Sequence, residues 1–203
     1  AVTYSIAFSD LATNAGTEVT ASTDSSVVTF NNSTPTLTTV SIASNNANTT
    51  TLAKVGDVIT LTITPSEAIS TPVINLQLGG VDIADASITY VDTSSGSAGT
   101  AWTAAYTTVA GDIDGLVTYS IAFSDLAGNA GTPVTSSTDS SAVTFDKTVP
   151  TLSSVVIASN NSTPTIAKVG DVITLTMTAS EAISTPVINL QVGGIAIADA
   201  SIT

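Results

Sequence analysis

The 203-residue chain contains no histidine, no cysteine and no arginine, and its only basic side chains are Lys54, Lys147 and Lys168. Each absence removes a class of chemistry. Without Cys there is no disulfide, no thiolate nucleophile and no soft-metal site. Without His the usual general base near neutral pH and the commonest zinc ligand are both missing. Sixteen acidic residues against three Lys give a formal net charge of −13, which argues against phosphate backbones and anionic lipid, so no nucleic acid partner is expected. No stretch approaches the ~18–20 consecutive apolar residues of a spanning helix, so no membrane insertion is expected in this segment. No signal-peptide pattern opens it either, and any export signal is expected to lie outside it.

What remains is β-protein material. Hydrophobic residues make up 43% and charged residues only 9%, so the chain is apolar enough to fold, with Thr, Ser, Ala, Val and Ile doing most of the filling. Of the metal ligands, only hard oxygens are left, and these suit calcium.

The chain repeats itself. Residues 1–43 match 116–158 at 31 of 43 positions, and after a one-residue deletion 54–89 match 168–203 at 31 of 36. Only residues 90–115 lack a second copy. A period near 115 residues is too long for a solenoid turn and fits a string of separate domains. The seams fall at "NNSTPTL" (31–37) and "DKTVPTL" (146–152), where Pro stops a strand ladder. The expected organisation is therefore one complete domain over 35–145, preceded at 1–30 by the last two strands of another repeat. It is followed at 150–203 by the first strands of a third. Pairing of these two ends between copies would leave one strand without a counterpart, so the expectation is a segment of a longer multidomain chain.

Within 35–145 the apolar period is two. "VITLTIT" sets Ile59, Leu61 and Ile63 on one face against Thr60, Thr62 and Thr64, and "LVTYSIAF" groups Val117, Tyr119, Ile121 and Phe123. Seven strands are expected, near 37–43, 55–64, 73–78, 81–91, 101–108, 116–124 and 133–145, the last broken by a bulge. Short alternating strands at this density predict an all-β fold, an immunoglobulin-like β-sandwich.

The segments "VGDVITLTIT", "SEAIS", "AAYTTVAGDIDGLVTYSIAFSDLAGNAG" and "DKTVPT" resemble the bacterial Ig-like repeats of giant surface adhesins and related secreted fibrous proteins. The resemblance covers the whole chain, and its most specific part is the D-x-A-G-N-x-G loop followed by D-K-T-x-P. It implies tandem β-sandwiches in a stalk or fibre at the cell surface, commonly stiffened by calcium. Neighbouring Ig-like repeats, other copies of the chain, and a surface glycan or host ligand elsewhere in the full protein are the partners it suggests.

If strands alternate in direction, the loop after the second strand ("SEAIST", 66–71) and the loop before the last ("LAGNAG", 126–131) share one end of the domain, where the linker also enters. Glu67, Asp125 and Asn129 should then gather near Asn31 and Asn32, with Asp146 and Glu181 in the corresponding places at the next seam. Carboxylates, an Asn carbonyl and backbone carbonyls from two loops and a linker are the donor set calcium accepts. The same letters are also ordinary turn chemistry, with Gly and Asn at positive φ and Asp capping its own loop. The first seam has Asn31 and Asn32 where the second has Asp146 and Lys147, so the two need not bind a cation equally.

"GDIDG" at 111–115 shares the opening of an EF-hand loop but lacks its later ligands, and reads better as a strand connection. Asp57 and Asp171 read as solvated strand-start residues beside Lys54 and Lys168. The "NNS" triplets at 31–33 and 160–162 are nominal glycosylation sequons. Two carboxylates in one short loop, Asp112 and Asp114, do not make a glycosidase, and no enzymatic function is expected. The rival to a structural role is a carbohydrate-binding sandwich, which needs exposed aromatics. Whether Trp102 and Tyr106 are buried separates the two.

Overall fold

The computed structural model describes residues 1–197. The last six residues of the 150–203 piece, 198–203, lie outside the described residues. The chain divides into two compact units, Ala1–Lys147 and Thr148–Thr203.

The first unit contains a two-sheet β-sandwich. Strands β1 (Leu37–Ser44), β3 (Val58–Pro65), β7 (Trp102–Thr107) and β6 (Thr89–Asp92) form one sheet in the order β1-β3-β7-β6. The other sheet takes the order β2-β9-β8-β4-β5, from Leu52–Ala53, Thr144–Phe145, Gly115–Ala122, Val73–Leu78 and Val81–Asp82. All pairings are antiparallel except that of β2 with β9. The alternation seen in sequence becomes the core. Ile59, Leu61 and Ile63 of β3 face Ile74, Leu76 and Leu78 of β4 and Val117, Tyr119 and Ile121 of β8 within one buried cluster. Burying each such aliphatic side chain contributes about 1.5–3 kcal/mol against exposure. Gly79 and Gly80 close the β4–β5 hairpin with φ of 57° and 81°, the pair of positive values a type I′ turn requires.

Two expected strands differ from the structure. Residues 81–91 are not one strand: β5 ends at Asp82, a single 3₁₀ turn covers Asp85–Ser87, and β6 resumes at Thr89 in the opposite sheet. The segment crosses between sheets, and an apolar period carries no mark of which sheet each half joins. Residues 133–145 hold only β9 and an isolated bridge between Val134 and Ile121. There Ser and Thr side chains replace the ladder, with Thr138 Oγ1 and Ser141 Oγ accepting the amides of Val40 and Ile42.

Residues 1–30, also in the first unit, carry the letters of 116–145 but only two isolated bridges, Ile6 to Val19 and Ser9 to Ala15. The second unit, by itself, pairs β10 (Leu152–Ser159) with β11 (Ile173–Ala179) in the register of β1 with β3, and closes a hairpin between β12 (Gln191–Val192) and β13 (Ile195–Ala196). None of the described helices is long and apolar enough to cross a membrane.

Candidate functional site

The loop after β8 organises itself around Asp125. Its Oδ1 accepts the amides of Ala127 (2.9 Å) and Asn129 (2.7 Å), and its Oδ2 accepts the Asn129 side-chain amide (2.8 Å). Gly131 then has to be glycine. A Cβ there would stand 2.2 Å from the Phe123 ring and 2.8 Å from the carbonyl oxygen of Pro35. The twin loop repeats the pattern without any core beneath it: Asp10 accepts the amides of Ala12 and Asn14 and the Asn14 side chain. The turn is therefore local chemistry, closed wherever these letters recur in the sequence.

The linker is what turns this loop into a site. The Asn31 side-chain amide donates to Asp125 Oδ2 (2.8 Å) and to Glu67 Oε2 (3.3 Å), and Asn129 Nδ2 donates back to the Asn31 carbonyl (3.1 Å). Glu67 is brought within reach by the bridge between Ile69 and Asp125 and by the amide of Ser70 bonding the Ser124 carbonyl at 3.0 Å. Glu67, Asp125, Asn129 and Asn31 thus converge from two loops and the linker. Asp125 is buried. The Asn129 side chain does most to hold its carboxyl below the usual range; burial opposes this, and the amides of Asn129, Ala127 and Gly128 add to it.

With the Asn31 amide counted, Asp125 accepts four N–H donors, about the capacity of a carboxylate. Asn31 presents donors between the two acids, while its Oδ1 accepts the Ser33 amide at 2.9 Å. In this arrangement the seam is closed by hydrogen bonds, and a cation there would have to displace the Asn31 amide. Among the described residues no three acidic, His or Cys side chains gather as a metal group.

Asp146 and Glu181 lie in different units. Asp146 continues the β9 ladder, its amide donating to the Ala53 carbonyl at 2.8 Å. Glu181 is half-buried, with Oε1 enclosed and lacking a hydrogen-bond partner among the described residues.

At the far end of β8, the 109–114 loop is held by a buried contact that the spacing of its residues does not reveal. The Tyr106 hydroxyl donates to both oxygens of Asp112 (2.8 and 3.0 Å), and the Val109 amide adds a third bond at 2.7 Å. Burial, reinforced by Asp112, pushes the Tyr106 phenol up to about 12. Lys147 closes over this loop, its amide on Asp114 Oδ1 and its ammonium on the carbonyls of Ala110 and Asp112. Asp57 also departs from the solvated role expected of it. It is buried, accepting the Lys54 amide and the Asn46 side chain, and the Lys54 amide is the main cause of its lowered pKa. The signal for it was Asn46 eleven residues upstream, repeated as Asn161 before Asp171.

Trp102 and Tyr106 are both buried, at 8% and 6% exposure. The complete domain accordingly turns its aromatics inward, Tyr119, Phe123 and Phe145 included, with Tyr90 packed against the core. The fold and site define an all-β sandwich with a hydrogen-bonded linker clamp at one end. Compared with known proteins, the chain matches no family model, no curated protein and no solved structure.

Proposed function

We propose that this chain is a structural tandem-repeat segment of an extracellular microbial surface protein, a stalk, filament or surface-layer element built from Ig-like sandwiches. The observation that carries the reading is the clamp on Asn31. A linker residue held by both acidic loops of the following domain fixes where the chain enters it, which serves a spacer and has no use in a substrate pocket. The near-identical repeats and the inward aromatics support length and stiffness over sugar binding, and no residue is assigned a catalytic role. Replacing Asn31 by Ala should speed amide exchange at 31–36 without unfolding the sandwich. Unchanged exchange there would remove the clamp from the account of stiffness.

Calcium belongs to this reading at seams that carry an Asp where the first has Asn31, as the sequence does at Asp146. A third carboxylate beside Glu67 and Asp125 raises affinity for a hard cation. The variant Asn31→Asp transplants that chemistry to the first seam, beside Glu67, Asp125 and Asn129. Calcium should raise the melting temperature of this variant and leave the parent unchanged. An equal rise in the parent would place a cation at the Asn31 seam itself, and no rise in either would remove calcium from the proposal.

A further inference from the structure

The linker that enters the complete domain and the linker that leaves it are held at the two ends of one strand. Asp125, three residues beyond β8 (Gly115–Ala122), accepts the Asn31 side-chain amide at 2.8 Å. Asp114, the residue before β8, accepts the Lys147 amide at 2.8 Å, and the Lys147 ammonium bonds the carbonyls of Ala110 and Asp112 beside it. β8 thus ties the arriving chain to the departing chain across its eight residues, about 25 Å at ~3.4 Å per residue. It lies inside its sheet between β9 and β4, with Val117, Tyr119 and Ile121 in the core, so it is gripped along its length.

The first and last segments of the same domain run side by side in one direction. Thr138 bonds Val40 through both its amide and its hydroxyl, and the Ser141 hydroxyl accepts the Ile42 amide. Further along, Leu52 and Ala53 lie opposite Thr144 and Phe145 in parallel, and the Asp146 amide reaches the Ala53 carbonyl. At the entry end Pro35 is fully buried and Thr36 and Ser66 bond each other twice. Because the chain enters at one end and leaves at the other, tension draws these two segments past each other along their length. The bonds between them lie across the pull and must fail together. A last segment running the other way would leave by the entry end, and its bonds would open one after another.

We infer that residues 35–145 form a tension-bearing domain: a pull along the chain enters at Asn31, is passed by β8 to Lys147, and reaches the first and last segments only in shear. The inference goes beyond the spacer reading and rests on it for the direction of the pull. A domain that yields early to an end-to-end pull would still be a spacer, one that bears no tension.

Force spectroscopy of the full chain tests it, with the event assigned to residues 35–145 by the length of chain released. Handles at the two termini pull along the chain. Because the sequence has no Cys, a single Ala47→Cys in the exposed bend after β1 supplies a second attachment point. Paired with the C-terminal handle, it peels the last segment from its exit end. The end-to-end pull should need a several-fold higher force than the pull from position 47. Two variants separate shear from stability, since forced unfolding follows the barrier and the urea midpoint follows the equilibrium. Thr138→Ala removes two side-chain bonds between the first and last segments, and Gln77→Ala removes two between β4 and its neighbours. For a given shift in urea midpoint, Thr138→Ala should lower the end-to-end force several times more than Gln77→Ala does. Equal forces in the two pulling directions, or equal losses of force in the two variants, would overturn the inference.

Discussion

Residues 116–145 and 1–30 spell nearly the same sequence and live in opposite environments. Ile121 is fully buried while Ile6 is 52% exposed, and Phe145 and Phe30 differ in the same way. In the first case β4 and β2 lie alongside, and backbone and side chains are satisfied together. In the second the Asp10 loop still closes, yet β8 and β9 have no described counterparts as strands. Turns in this chain are fixed by residues a few places apart, whereas strands exist only when a second strand meets them, as non-local pairing requires.

The largest expected difference between the twins is at the last aromatic. Phe145→Ala should destabilise the sandwich by about 3–5 kcal/mol, the usual cost of emptying a fully buried aromatic site, while Phe30→Ala should leave the urea midpoint of the complete domain unchanged. Next comes the glycine under the ring. Gly131→Ala drives a methyl into Phe123 and the Pro35 carbonyl and should cost about 1–3 kcal/mol as overpacking. Gly16→Ala meets the Phe8 ring first, and that ring is 54% exposed rather than set in a core, so denaturation should not register it. Asn31→Ala removes three side-chain hydrogen bonds, two to the acids of the partly buried seam and one from the Ser33 amide, and should cost about 1 kcal/mol, read as a shift in thermal midpoint.

The finest test uses pH. Hydrogen bonds hold the Asp125 carboxyl below its ordinary value, so its contribution is present above the unfolded-state pKa of about 3.9 and fades as pH falls through the lower folded value. Asp125→Asn should flatten the fall of the urea midpoint across that acid window. Asp10 is lowered by the same kind of loop, but no core depends on it, so Asp10→Asn should leave the slope as it is.

Much of this was legible in the letters. Alternation in "VITLTIT" and "LVTYSIAF" located β3 and β8 and their buried faces. Strand direction alone brought Glu67, Asp125 and Asn129 to one end, where the structure joins them through Asn31. Two-residue strands such as β2 are too short to carry a period, so its parallel pairing with β9 left no trace. The sheet switch between Asp82 and Thr89 depends on which neighbours each half finds, and alternation does not record that. The Tyr106–Asp112 contact was hidden for another reason. An Asp in a Gly-flanked loop reads as exposed until a buried tyrosine is known to point at it.

Hydrogen exchange on the full chain, at a concentration where it is monomeric, most directly compares the twins. Amides of residues 117–122 should be protected to the limit of global unfolding, while those of 2–7, where only Val2 and Ile6 bond the Val28 and Val19 carbonyls, should exchange far faster. Equal protection of the two segments in the monomer would mean that residues 2–7 already have a strand beside them, and that burial here follows from sequence rather than from the partner strand.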